Sequence, residues 1–148
     1  MFKQRHKIIP AAYLILQQET SVLFMLRANT GYMDGFYGLP SGHVEAKESL
    51  KEALQREAFE EIGITFNEKD ATLVQVLDRP NANDAERVDF FFVVKNWSGE
   101  VKNCETNKCA ELRWIDINRL SDFPIAEYIK KVFTQINQKV LYSTEDLG

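Results

Sequence analysis

The chain has 148 residues, 45% of them apolar and 27% charged, with a formal charge of −4. This composition fits one globular domain over residues 1–148, able to bury roughly two-thirds of its unfolded surface. It excludes a bilayer span, since no apolar run approaches about 18 residues, and it argues against a broad basic face for duplex nucleic acid.

The basic start, from Met1 to Lys7, runs into Pro10 without a small-residue cleavage site. A cytoplasmic protein, monomer or homodimer, is therefore expected. Ile8 to Gln17 reads as a buried strand, and Val22 to Arg27 returns as its hairpin partner. Ala28 to Gly38 is rich in Gly, Asn, Asp and aromatics, the composition of a functional loop. Ser49 to Ile62 reads as a helix, with Ser49 as N-cap and Gly63 just past its end. Leu73 to Leu77 and Val88 to Lys95 read as strands, joined by a turn over Asp78 to Glu86. A short strand from Leu112 to Ile117 precedes an amphipathic helix from Ile125 to Gln138. Together these predict an α/β fold with a mixed sheet between helices. Cys104 and Cys109 are too few for a disulfide framework and read as free thiols; a zinc site is the poorer alternative.

The first helix carries an anomaly. Leu50, Ala53 and Leu54 define an apolar side, and continuing that stripe reaches Glu57, Glu60 and Glu61. Ala58, Phe59 and Ile62 form a second apolar side. Like charges three and four residues apart repel, and partial burial strengthens the repulsion. Two readings remain: a solvated acidic face, or carboxylates gathered for a hard divalent cation such as Mg²⁺ or Mn²⁺. Upstream, Gly38 to Glu45 forms a Gly-containing loop at the helix entry, matching neither a Walker A nor a dinucleotide pattern. Its position suits backbone groups placed beside metal and phosphate.

The run Gly42-x5-Glu48-x7-Arg56-Glu57-Ala58-x-Glu60-Glu61-x-Gly63-Ile64 resembles the Nudix box, G-x5-E-x7-R-E-U-x-E-E-x-G-U, at every fixed position. The preceding Gly38-Leu39-Pro40-Ser41 and the closing stretch from Leu112 to Asp116 are similar to MutT-type members. The resemblance implies an α/β/α sandwich and Mg²⁺-dependent hydrolysis, with Mn²⁺ able to substitute, of a nucleoside diphosphate linked to a moiety X. By the same resemblance, Glu57, Glu60 and Glu61 are metal ligands, and Ser41 lends its carbonyl. Glu57 is also the candidate general base, Arg56 orients the acids, Glu48 is an ancillary ligand or a support, and Gly42 is ancillary. Ser41 and Lys47 depart from glycines that are frequent but not fixed there. Lys47 reads as a solvated lysine or a phosphate contact.

A later acid commonly completes the metal set in such members. Glu105 is the candidate, with Glu111 and Glu100 as rivals. Arg27 falls where MutT-like members contact substrate; otherwise it is an ordinary strand-end cation. Tyr32, Phe36, Tyr37 and Trp97 are candidates to stack on a base, or packing residues. Glu127 stands where antimutators present a base-reading asparagine, and a carboxylate only accepts hydrogen bonds. Its alternative role is to open the last helix with a favourable negative charge. The substrate expected is a small nucleotide: a (d)NTP, intact or damaged, split to (d)NMP and pyrophosphate. ADP-ribose or a nucleotide sugar is the alternative, and a non-catalytic nucleotide-binding module the third reading.

Overall fold

The computed structural model describes residues 4–82 and 86–145. Parts of the basic start (1–3) and of the expected turn after Asp78 (83–85) lie outside them. Strand β1 (Ile9–Gln18) leads through a tight turn into β2 (Ser21–Arg27), followed by the short β3 (Tyr37–Gly38) and β4 (Ser41–His43). Helix α1 (Leu50–Ile62) precedes β5 (Ala71–Arg79), β6 (Arg87–Val94) and β7 (Cys109–Asp116). Helix α2 (Glu127–Asn137) and β8 (Tyr142–Thr144) follow.

The sheet is mixed, in the order β3-β2-β1-β6-β5-β8, with β4 on β1 and β7 on β2. The β1–β6 pair is parallel, running from Ile9 opposite Arg87 to Leu16 opposite Val94. Alternation along β1 builds two cores. Ala12, Leu14 and Leu16 join Ala53, Leu54, Ala58 and Ile62 of α1. Ala11, Tyr13 and Ile15 join Ile129 and Val132 of α2. With both faces covered, β1 reads as a continuous apolar run. This is the expected sheet between two helices.

Helix α1 begins where Ser49 caps it: the Ser49 hydroxyl accepts from Glu52 N–H, and the Glu52 carboxylate accepts from Ser49 N–H. It ends at Gly63, whose φ of 73° satisfies the left-handed C-cap. Other boundaries moved. Strand β5 extends through Asp78 and Arg79, read above as turn, because both pair across to Val88 and Arg87 of β6. Strand β7 starts earlier, at Cys109, and α2 starts later, at Glu127. Phe59 is 61% exposed rather than part of an apolar side, leaving Ala58 and Ile62 to bury that face. No helix among the described residues is long and apolar enough to cross a membrane.

Candidate active site

Two neighbouring cavities share a wall at β3 and β4. The smaller, about 210 Å³, is lined by Ser41, Glu57, Glu61, Glu105, Lys108 and Cys109 among others. The larger, about 420 Å³, lies between the loop before β3 and the start of α2. Arg27, Gly38, Leu39 and Ser41 line both. Arg27 ends β2, and its guanidinium donates from Nε to the Tyr32 carbonyl (2.8 Å) and from Nη2 to Thr30 Oγ1 (3.3 Å). The loop it grips is further fastened by the Asp34 carboxylate, which accepts from Thr30 N–H, Thr30 Oγ1 and Gly31 N–H.

Arg56 organises the acids. Its Nε and Nη2 donate to the two oxygens of Glu48 at 2.8 and 3.0 Å, and Nη1 donates to Glu57 at 2.5 Å. Nη2 also donates to the His43 carbonyl (3.1 Å), tying α1 to the end of β4. The Arg56 guanidinium, aided by the Glu45 N–H, holds the Glu48 carboxyl below its ordinary range. Glu60 departs from the inward face. It is 53% exposed and reaches Arg56 at 3.4 Å, because it lies about 100° around the helix from Glu61.

Glu61 is the acid whose titration is most displaced. Burial first, then its contact with Glu57 and the charge of Glu105, push its carboxyl up to about 10. Its Oε2 is buried without a hydrogen-bond partner among the described residues. An orphaned buried carboxylate oxygen among acids of like charge fits a bound cation, which would satisfy it and remove the repulsion. Among the described residues, no three or more acids, histidines or cysteines stand together in a geometry that would hold a metal ion by themselves. Ser41, Glu57, Glu61 and Glu105 line the same cavity and are the candidate ligands.

Other expected residues fall elsewhere. Glu111 accepts from the Tyr37 hydroxyl and stands 3.9 Å from Arg113, while Glu100 is exposed. Trp97 stacks on Trp114 at 6.2 Å, beside the α1 core rather than at the cavities. Tyr32, Phe36 and Tyr37 do line the larger cavity. Glu127 does not: its side chain is 90% exposed and pairs with Lys130 at 3.4 Å. It borders a separate depression with Lys131 and Gln135, while its neighbours Ala126, Tyr128 and Ile129 face the cavity. Sequence reasoning missed Tyr13, His43, Arg79, Arg87 and Tyr128, which also line it. They come from separate elements, and only the inward alternation of β1 signalled one of them, Tyr13. Both cysteines are free, Cys104 exposed and Cys109 buried.

The family model of the NUDIX domain matches residues 7–136. The chain belongs to the NUDIX family. It is 32% identical over 99 residues to an 8-oxo-dGTP diphosphatase of Proteus vulgaris, covering 66% of this chain and 84% of that one. It is 31% identical over 107 residues to an ADP-ribose pyrophosphatase of Methanocaldococcus jannaschii, covering 72% of this chain and 60% of that one. The crystal structure of a MutT NUDIX hydrolase from Burkholderia pseudomallei superposes with a TM-score of 0.77 at 25% identity, over 88% of this chain and 98% of that one. This NUDIX chain is accordingly a MutT-like hydrolase acting on pyrophosphate bonds. NUDIX hydrolases act on small nucleotide substrates and generally use divalent metals.

Proposed function

We propose that this protein is a single-domain, Mg²⁺-dependent (d)NTP pyrophosphohydrolase of the cytoplasmic nucleotide pool, Mn²⁺ substituting for Mg²⁺. Water adds across the α–β phosphoanhydride and gives (d)NMP and pyrophosphate. The observation that carries this reading is that a carboxylate-lined cavity and an aromatic-lined one lie side by side, with Arg27, Gly38, Leu39 and Ser41 lining both. One end suits phosphates, the other a flat base.

Glu57, Glu61, Glu105 and the Ser41 carbonyl hold the cation, with Glu60 adding charge from the outer side. When bound there, the cation supplies positive charge against the phosphate oxygens and lowers the pKa of water. Glu57 is the candidate to take the proton of the attacking water. Arg56 fixes its direction through Nη1, and Glu48 in turn holds Arg56 through both oxygens. Arg27, at the junction, contacts the phosphates. Glu127 has no part in this assignment and serves the start of α2.

A panel of (d)NTPs, ADP-ribose and nucleotide sugars, incubated with Mg²⁺ and resolved by product, tests the reading. NMP with pyrophosphate from a triphosphate is the expected result. AMP with ribose 5-phosphate from ADP-ribose alone would favour the second reading, which the similarity to the archaeal relative supports.

A further inference from the structure

We propose that Arg79 reads a carbonyl oxygen on the base, so that keto-faced bases (guanine, hypoxanthine, uracil, thymine) are chosen over amino-faced ones (adenine, cytosine). The proposal rests on the reading that places the nucleoside in the larger cavity.

Arg79 ends β5, lines that cavity, and is only 6% exposed. Its Nη1 donates to Asp89 at 3.1 Å, its Nε donates to Glu145, and its guanidinium lies 4.3 Å from the centre of the Tyr128 ring. Asp89 is fully buried and also stands 3.5 Å from Arg87 Nε. Burial raises the Asp89 carboxyl despite both arginines. Buried ion pairs seldom outperform apolar packing in stability. A function for the fork explains its placement better.

The chemistry of the fork decides what it can read. A guanidinium donates and never accepts. With Nε and Nη1 committed, Nη2 has no protein partner among the described residues. Two carboxylates already touch Arg79, which leaves little net attraction for a further anion. A neutral acceptor therefore suits it, and the aromatic walls from Tyr32, Phe36, Tyr37 and Tyr128 suit a flat ring carrying one. Guanine and thymine present carbonyl oxygens where adenine and cytosine present amino donors. A donor held against a donor leaves both unpaired, which is where strong discrimination arises.

IMP and AMP differ along one edge of the base, which carries a carbonyl beside N1–H in IMP and an amino group beside a bare N1 in AMP. Calorimetry with Mg²⁺ present should find IMP bound about tenfold or more tighter than AMP. In Arg79→Met, and in Arg79→Lys, which keeps the charge but not the fork, the ratio should fall toward one. Equal affinities in the wild-type protein overturn the proposal, and this arm needs no variant to fold. An unchanged ratio in a folded Arg79→Lys protein overturns it also, as does inorganic phosphate binding that Arg79→Met abolishes. Hydrolysis of ITP and ATP is scored separately. If neither triphosphate is cleaved, the pyrophosphohydrolase reading fails while the binding ratio still judges Arg79.

Discussion

The carboxyl of Glu57 occupies the space that a β-carbon on Gly42 would need. Such a carbon would stand 2.2 Å from the Glu57 carboxyl carbon and 2.5 Å from its Cγ. The glycine that opens the box thus sets how closely the first acid of α1 approaches β4. Arg56 holds the same acid from the other side. Gly42→Ala is expected to displace Glu57 and lower kcat by about a hundredfold, the cost typical of a misplacement near 1 Å. Circular dichroism should stay close to wild type, because Gly42 lies outside both cores. Near-full turnover in a folded Gly42→Ala protein would mean that Glu57 does not need this position.

Lys47 carries a different backbone consequence. It is exposed, and its φ is 63°, in the left-handed region. A residue with a β-carbon loses about 1–2 kcal/mol there, and the chain entropy of glycine takes back part of the gain from replacing it. Lys47→Gly should therefore stabilise the protein by roughly 0.5–1 kcal/mol in urea unfolding. A drop in the urea midpoint would instead assign Lys47 a contact worth more than the strain.

Strands β1 and β6 were legible in the sequence because both faces of each are covered, which writes a continuous apolar run. Strands β3, β4 and β8, of two or three residues, leave no period to read. The acids of α1 were legible from their fixed spacing, but spacing does not tell exposure: Glu60 turns outward while Glu57 and Glu61 turn in. Arg79 was unreadable as a site residue, because an arginine beside proline at the end of a strand looks like a turn. Only its pairing with Arg87 across β6 brings it to the cavity.

The same limit governs Glu127. One residue along a helix turns a side chain by about 100°, so Tyr128 faces the cavity and Glu127 faces solvent. Glu127→Asn should leave the relative kcat/KM values for the four bases within about twofold of wild type, as exposed substitutions away from special features do. A shift in base ratio beyond that would return Glu127 to the site.

Glu61 links metal, protons and stability. Its carboxyl, pushed up to about 10 by burial and by Glu57 and Glu105, is protonated at neutral pH in the cation-free protein. Cation binding requires the carboxylate, so each binding event near pH 7 should release about one proton. Calorimetry in two buffers of different ionisation enthalpy measures that release, which Glu61→Gln should abolish. The stability consequence has a definite sign. The folded value lies above the ordinary 4.5, so folding takes up a proton between about 4.5 and about 10. Its contribution is fully present below 4.5 and is lost as pH rises through that window. Without cation, Glu61→Gln should therefore match or trail wild type at pH 4 and exceed it in urea midpoint at pH 8. Parallel urea midpoints for the two proteins across that range would show that Glu61 titrates as an ordinary carboxylate, and the orphaned oxygen would then need another explanation than service as a cation ligand.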